Sequence, residues 1–279
     1  MSVRLEDWMG RKESTADVAT AWPVAALNAT LDRREPPPAE DDAIPPGWHW
    51  LYFLETHPAS ELGHDGHAKR GGFLPPVPLP RRMWAGGRIE FRRALRVGDR
   101  MRRESEIVSV EHKTGKSGSL VFVTVRHTVL IADEVAVIED HDIVYREAAK
   151  ADEPPPQARP APATARWRRE LTVDIVTLFR FSALIFNAHR IHYDLDYVKE
   201  EGYPALIVHG PLQTLLMLDL CRRNNADVAR LDYRAVHPVF DTELLSVNGN
   251  PAPDGSKVDL WIANGAGNYA MTGTATVKT

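Results

Sequence analysis

The sequence has a single cysteine, Cys221, which excludes both an intramolecular disulfide and a cysteine-rich zinc module. It has no excess of basic residues, since 34 lysines and arginines face 38 acidic residues, and this argues against nucleic acid as a partner. The start of the chain, MSVRLEDWMGRKES, lacks the apolar segment of a secretory signal. The longest apolar stretch, residues 205–220, contains His209 and Asp219, so it predicts a buried helix and no membrane span. These absences favour a protein of the reducing cytoplasm.

The composition that is present is that of a folded, soluble protein, with 43% hydrophobic and 26% charged residues in a chain of 279. At roughly 100–200 residues per domain, this length fits two domains or one large one. The segment 148–162, AAKADEPPPQARPAP, is rich in proline and charge and has no apolar period, which is typical of an extended linker. We therefore predict a first domain over residues 1–150, a linker over 151–164 and a second domain over 165–279.

Both halves end in a series of segments rich in Val, Ile, Thr and Phe, which predict β-strands. The predicted strands span 87–93, 102–110, 120–130 and 134–145 in the first half, and 231–236, 242–247, 257–263 and 268–277 in the second. This shared order predicts two curled antiparallel sheets that arose by duplication. Gly86 and Gly87, at the start of the first of these strands, fit an ordinary turn better than a close approach of two backbones.

The segment 211–223, PLQTLLMLDLCRR, is apolar on nearly every face and predicts a helix enclosed by other structure. Pro211 suits the first helical position, and Gly210 is the expected cap. Arg222 and Arg223 fall in the last turn, where cations complement the helix dipole. A long antiparallel sheet curled around one buried helix is the hot-dog architecture. The sequence therefore predicts an α+β double hot-dog, whose C-terminal sheet wraps around this long buried helix.

The densest group of polar side chains lies just before the predicted helix, within residues 179–203. Its members are Asn187, His189, Arg190, His192, Tyr193, Asp194 and Asp196. Three interpretations compete: a polar loop with satisfied histidines, a metal site formed by His189 and His192 with Asp194, or acid–base chemistry at a helix N-terminus. Other histidines, among them His49, His57, His64 and His67, lie in loop-like sequence without such a setting.

The third interpretation explains most of these side chains. The N–H of Gly210 lies at the start of the predicted helix, where the positive end of the helix dipole can stabilise a developing oxyanion. A nearby histidine exchanges protons near neutral pH. An oxyanion donor and a neutral base together suit the reversible addition of water to an α,β-unsaturated acyl thioester.

The residues of this region resemble a known superfamily. The segment 203–212, YPALIVHGPL, resembles the part of MaoC-like hydratases and dehydratases that ends in His-Gly at the hot-dog helix. The segment 179–194, FRFSALIFNAHRIHYD, is similar to their hydratase motif Asp-x-Asn-Pro-x-His-x-Asp. It is closer to the subgroup of hydroxyacyl-thioester dehydratase type 2 proteins and of mesaconyl-CoA and itaconyl-CoA hydratases. The resemblance is strong over residues 165–279 and looser over 10–147.

The resemblance implies roles for individual residues. The catalytic histidine of the family falls on His192, and its aspartate falls on Asn187, a departure that replaces a carboxylate by an amide. We therefore expect His192 to be the base in hydration, Asn187 to orient water, and His189 to be a second proton carrier or a substrate contact. Gly210 and Pro211 supply the oxyanion site, and Asp194 is an alternative partner for an imidazole.

The subgroup implies a branched C5 dicarboxylic acyl-CoA substrate, mesaconyl-CoA or itaconyl-CoA, which is hydrated to citramalyl-CoA. The alternatives are a dehydratase of plain 3-hydroxyacyl thioesters and a non-catalytic thioester-binding hot-dog protein. A free carboxylate on the substrate calls for arginine. Arg180 and Arg190, with Tyr193, are the expected substrate contacts, and Arg81, Arg82 and Arg88 are further candidates. We expect no cofactor, no metal and no membrane partner, and a homodimer is one expected assembly.

Overall fold

The computed structural model describes residues 4–115, 118–148 and 158–278. The strands are β1 (Lys12–Val18), β2 (Arg81–Phe91), β3 (Arg100–Gly115), β4 (Gly118–Ile131), β5 (Glu134–Arg146), β6 (Trp167–Thr172), β7 (Val228–Ala235), β8 (Leu244–Pro251), β9 (Lys257–Ala263) and β10 (Tyr269–Val277). The α-helices are α1 (Ala21–Thr30), α2 (Ile175–Leu184), α3 (Leu195–Glu200) and α4 (Gly210–Arg223). Short 3-10 helices form at Leu5–Trp8, Trp48–Leu51, Ala59–Glu61 and Arg190–His192.

All ten strands pair in one antiparallel sheet, in the order β1-β3-β4-β5-β2-β7-β10-β9-β8-β6. Strands β1–β5 come from the first half and β6–β10 from the second, in the same sequential plan. The two predicted sheets are thus joined at their inner edges by β2 and β7. This pairing places the C-terminal half directly beside the first half, and the cleft described below draws residues from both.

The prediction of a turn at Gly86 and Gly87 is wrong, because both glycines lie inside β2 at the junction with β7. A Cβ on Gly86 would lie 2.5 Å from the carbonyl oxygen of Tyr233, and one on Gly87 would lie 2.5 Å from the carbonyl oxygen of Asp140. Glycine is therefore required for the close approach of neighbouring backbones.

Helix α4 contacts each of the five strands of the second half, β6 to β10. Its side chains from Leu212 to Cys221 are buried, as expected for a helix that is apolar on nearly all faces. The helix begins one residue earlier than predicted: Gly210 is already helical, and His209 is the N-cap. The predicted Pro211 at the first turn and the arginines of the last turn are found in place.

The described residues of the first half contain no counterpart of α4. Between α1 and β2 the chain forms only two short 3-10 helices and irregular loops. Residues 71–80, which include the proline cluster, form no strand. Consequently the first half presents loops, and not a long helix, beside the inner strands of the sheet.

One hydrophobic core runs through both halves, since Leu27 and Trp48 belong to the same buried cluster as Leu215 and Ile262. Residues 149–157, which include the first half of the predicted 151–164 linker, lie outside the described residues. Beyond them, the backbone N–H of Ala161 donates to the carbonyl of Gly267 at 2.9 Å. The division into two domains stays a prediction. Among the described residues, no helix combines the length and the apolar character that crossing a membrane requires.

Candidate active site

A large cleft of about 1770 Å³ opens between the two halves of the chain. Its second-half wall includes Asn187, His189, His192, Gly210 and Pro211. The first half contributes polar and aromatic side chains to the opposite wall. They include Asp65, His67, Arg82, Trp84 and His141. The cleft therefore brings the predicted motif together with first-half residues that are distant from it in the sequence.

The motif is held by a tight turn after α2. Phe186 adopts a left-handed φ of 49°, and the N–H of Asn187 donates to the carbonyl of Ser182 at 2.8 Å. The side-chain oxygen of Asn187 then accepts the backbone N–H of His189 at 2.8 Å. This Asx turn leads into the 3-10 helix Arg190–His192, which sets His192 deep in the cleft.

His192 is buried, and its tautomer is fixed by one hydrogen bond. Its Nδ1–H donates to the carbonyl of Ile207 at 2.7 Å, which leaves Nε2 as the unprotonated nitrogen. Burial is the main cause that lowers the pKa of His192 to about 4. The imidazole is therefore neutral near pH 7 and can accept a proton at Nε2.

The His192 ring stacks on the ring of His209, with centroids 3.6 Å apart and an angle of 22° between planes. His209 is fully buried, and its Nε2 forms a 2.8 Å hydrogen bond with the hydroxyl of Ser182. Burial holds the pKa of His209 well below the usual histidine value. A neutral, fixed His209 therefore supports one face of the His192 ring. In the sequence, His209 is visible only as a polar interruption of the apolar stretch 205–220, and this support was not predicted.

The start of α4 forms the part of the cleft wall next to these histidines. The N–H groups of the first helical turn have no acceptor within the helix, and the positive end of the helix dipole lies there. Gly210 and Pro211 both line the cleft, and Gly210 faces the Trp84 ring of β2. A carbonyl oxygen placed at this point would meet N–H donors rather than acceptors.

The first half places Asp65 and His67 against the motif. The ring centroids of His67 and His189 are 4.1 Å apart. Nδ1 of His67 lies 2.9 Å from Asp65 Oδ2, and the backbone N–H of His67 donates to Asp65 Oδ1 at 3.0 Å. Gly66, with φ of 87°, packs so closely that a Cβ there would lie 1.9 Å from the carbonyl oxygen of Ala188. The prediction that His67 lacks a functional setting is wrong.

Asp65, His67 and His189 also have the donor types of a metal site, with ligand atoms within 4.8 Å of one another. The metal site considered from the sequence had different ligands, namely His189, His192 and Asp194. Arg82 is close enough that its charge lowers the pKa of both His67 and His189. A guanidinium beside the cluster opposes cation binding. That the site needs no metal stays a prediction.

Asp194 does not hold an imidazole, so that alternative is wrong. Its Oδ1 caps α3 by accepting the N–H of Tyr197 at 3.0 Å, and its Oδ2 binds the guanidinium of Arg190 at 2.7 Å. The guanidinium of Arg190 is therefore paired with Asp194, and Arg190 does not line the cleft. Arg180 is exposed to solvent outside the cleft. This placement argues against their predicted contact with substrate. Tyr193 does line the cleft, and its hydroxyl donates to the carbonyl of Ala188 at 3.0 Å.

Comparison with known proteins identifies the family. Residues 47–241 match the family profile of hydroxyacyl-thioester dehydratase type 2. The chain belongs to this family. It is 41% identical to the mesaconyl-C(4)-CoA hydratase of Chloroflexus aurantiacus over 96% of this chain and 95% of that protein. It is 26% identical to the mitochondrial hydroxyacyl-thioester dehydratase type 2 of Schizosaccharomyces pombe, over 86% of this chain and 90% of that protein.

The solved structures of related fold agree with the predicted double hot-dog. A MaoC-like dehydratase from Phytophthora capsici superimposes with a TM-score of 0.67 at 11% identity, over 99% of both chains. A Mycobacterium tuberculosis protein described as a double hot-dog gives a TM-score of 0.56 at 13% identity, over 96% of each chain. The family and the fold predicted from the sequence are confirmed.

In this member of the hydroxyacyl-thioester dehydratase type 2 family, Asp65 and His67 of the first half belong to the site, although they were not predicted to do so. The segment Gly-His-Asp-Gly-His at 63–67 carried one usable signal, an aspartate two residues before a histidine across a glycine. That spacing allows the Asp65 side chain to bind both the backbone and the ring of His67. Nothing local indicated that this loop would lie against His189.

Proposed function

We propose that the chain is a hydro-lyase that adds water reversibly to an α,β-unsaturated acyl-CoA. The substrate is a branched C5 dicarboxylic thioester, mesaconyl-CoA or itaconyl-CoA, and the product is citramalyl-CoA. The observation that carries the proposal is His192, a buried neutral imidazole whose free Nε2 lies in a cleft beside the N-terminus of α4. The 41% identity to a mesaconyl-C(4)-CoA hydratase supports the choice of substrate.

In the proposed hydration of mesaconyl-CoA, whose double bond is conjugated with the thioester carbonyl, Nε2 of His192 takes a proton from water while the water oxygen bonds to the β-carbon. The electron pair of the double bond shifts toward the thioester, whose carbonyl oxygen becomes an enolate oxygen. The N–H of Gly210 and the helix dipole stabilise this oxyanion. The imidazolium then returns its proton to the α-carbon, which restores the thioester carbonyl. Dehydration is the same path in reverse.

Asn187 and His189 have assisting roles in the proposal. The side-chain oxygen of Asn187 is taken by the N–H of His189, so its amide N–H group is the part that can hold water. The pKa of His189 is lowered by burial and by its neighbours His67 and His192. A neutral His189 suits a substrate contact, or a second proton carrier once substrate is bound.

The alternative is a dehydratase of plain 3-hydroxyacyl thioesters, which the Schizosaccharomyces pombe relative favours. We expect purified protein to hydrate mesaconyl-CoA or itaconyl-CoA with a kcat/KM at least about tenfold above that for crotonyl-CoA. Initial rates on the three thioesters at matched concentrations measure this preference. A preference for crotonyl-CoA would favour the alternative, and no turnover of any would favour a non-catalytic binding protein.

Replacing Asn187 tests the water-holding role. In Asn187→Asp, a carboxylate beside His192 stabilises the imidazolium and raises its pKa. Since hydration needs the neutral base, the acid limb of kcat/KM should move to higher pH. Asn187→Ala should lower kcat without moving that limb. The measurement is the pH profile of kcat/KM on the preferred thioester.

Asn250→Asp makes the same charge change at an exposed position of β8 and is the matched control. Its profile should coincide with that of the unchanged protein. If Asn187→Ala also behaves like the unchanged protein, Asn187 has no part in the reaction and His189 becomes the candidate for the second role.

The cellular compartment and the oligomeric state of the protein are also part of the proposal. We place the enzyme in the cytoplasm, because a single cysteine fits that reducing compartment. A homodimer stays a prediction, which sedimentation of the purified protein would test.

A further inference from the structure

Several arginines line the cleft, and three of them have an acidic partner. Arg81 binds Glu201 at 3.0 Å, Arg88 binds Asp142 at 3.0 Å, and Arg103 approaches Glu55 at 3.8 Å. Each of these guanidinium charges is therefore balanced by a carboxylate of the chain itself. An arginine that binds a substrate carboxylate must differ from them, since a resident carboxylate would compete.

Arg82 differs in this respect. Within the described ranges, no carboxylate lies inside the 4.0 Å ion-pair distance of its guanidinium. It is the second residue of β2, opposite Tyr145 of β5, and is half-buried in the cleft wall. Asp65 feels the charge of Arg82, but both of its carboxylate oxygens are already bound to the backbone N–H and the ring of His67. The positive charge of Arg82 thus faces the cleft without a direct counterion.

The surroundings of Arg82 place this charge beside the catalytic motif. Arg82 lines the same cleft as Asp65, His67 and His189. Burial is the largest cause that lowers the pKa of the two histidines, and the charge of Arg82 lowers it further. His189 in turn lies 5.5 Å from His192, ring centroid to ring centroid. The guanidinium is therefore within reach of a substrate whose reacting carbons lie at His192.

The chemistry of the proposed substrate calls for a cation at this place. In a C5 dicarboxylic thioester the free carboxylate is only a few bonds from the double bond. Its ligand must therefore lie next to the acid–base residues and not along the path of coenzyme A. A planar guanidinium binds a carboxylate by two parallel hydrogen bonds, which also fixes the orientation of the acyl group.

We propose that Arg82 binds the free carboxylate of the substrate and so selects dicarboxylic over plain acyl thioesters. This assignment rests on the proposed hydratase function and adds its specificity determinant. It also gives a role to the first-half loop at 63–67. Because Asp65 and His67 are hydrogen-bonded to each other, the Asp65 carboxylate does not compete with the substrate carboxylate for Arg82.

Binding of two unreactive thioesters tests the assignment apart from catalysis. Methylsuccinyl-CoA carries the free carboxylate, and isovaleryl-CoA is a branched thioester without it. Calorimetry should show that Arg82→Gln raises the Kd for methylsuccinyl-CoA by roughly 30-fold or more, in the range measured when one partner of a buried charge pair is truncated. The Kd for isovaleryl-CoA should change less than about threefold. Arg82→Lys should recover part of the lost affinity, since lysine keeps the positive charge but cannot form the two parallel hydrogen bonds of a guanidinium.

Arg92→Gln is the matched control, because Arg92 is exposed, pairs with Glu90 and does not line the cleft. It should leave both affinities unchanged. Equal losses of both thioesters in Arg82→Gln, with an unchanged melting temperature, would overturn the assignment and indicate a contact with coenzyme A. An unchanged Kd for methylsuccinyl-CoA would overturn it as well. Turnover by the unchanged protein is scored separately, so failure of the proposed reaction is distinguished from failure of Arg82.

Discussion

Replacing His192 with glutamine is expected to lower kcat by about 10²–10⁴-fold, the usual contribution of a general acid–base group. Glutamine has a similar size and can still donate to the carbonyl of Ile207, which His192 now does at 2.7 Å. It cannot take a proton from water or return one to the α-carbon. The fold should therefore survive while the chemical step fails. Single-turnover rates of His192→Gln on the preferred thioester measure the loss.

The matched control is His112→Gln, since His112 is an exposed histidine of β3 that forms a hydrogen bond with the hydroxyl of Ser119. Its kcat should equal that of the unchanged protein. Near-normal turnover by a correctly folded His192→Gln would remove His192 from the mechanism. Circular dichroism and the melting temperature of both variants establish the folding.

The pH profile of the unchanged enzyme gives a second readout of the same residue. Burial lowers the pKa of His192 to about 4, and the neutral form is the base in hydration. The base is therefore available above pH 4 and is lost as the pH falls through that value. The acid limb of kcat/KM should lie well below the value near 6.5 of an ordinary histidine.

Local sequence patterns were sufficient to predict the parts of the site that are local in the chain. The run at 211–223 is apolar on nearly every face, so a buried helix followed from composition alone, and α4 spans Gly210–Arg223. The motif at 187–192 and the helix start are separated by fewer than twenty residues. Their closeness in space followed from that short separation and from the resemblance.

The first-half wall of the cleft was not predictable in the same way. Arg82 and His67 reach His189 only because β2 pairs with β7 and the 63–67 loop packs on Ala188. Pairing between distant strands leaves no periodic signal in a single sequence. Gly86 was misread for this reason: a glycine required for a close approach and a glycine of a turn look alike until the neighbouring strand is known.

A second large effect, on the stability of the fold, is expected from replacing Asp219, the acidic residue that interrupts the apolar face of α4. Its side chain is 1% exposed and contacts arginines from three different parts of the chain. It binds Arg33 of the first half, Arg169 of β6 at 3.1 Å and Arg223 of α4 at 2.6 Å. The carboxylate thus ties the first half to the central helix of the second.

Asp219→Ala is expected to lower the free energy of unfolding by about 3–5 kcal/mol, because removing one partner of a buried ion pair leaves uncompensated charge behind. Here the charge left behind is that of several converging guanidinium groups. Urea denaturation at pH 7 measures the change as a lower midpoint, with an m-value that stays constant if the transition remains two-state.

Asp227→Ala is the matched control, since Asp227 pairs with Lys278 at 3.2 Å but its side chain is 63% exposed. Exposed ion pairs are screened by solvent and contribute little, so its midpoint should not change measurably. Asp219→Asn should fall between the two variants, because it keeps hydrogen-bond acceptors but removes the negative charge. A midpoint for Asp219→Ala equal to that of Asp227→Ala would show that the arginines are satisfied by water or by Glu35, which already binds Arg33 and Arg222 at 2.6 Å each. In that case the packing of α4, and not its buried charge, holds the two halves together.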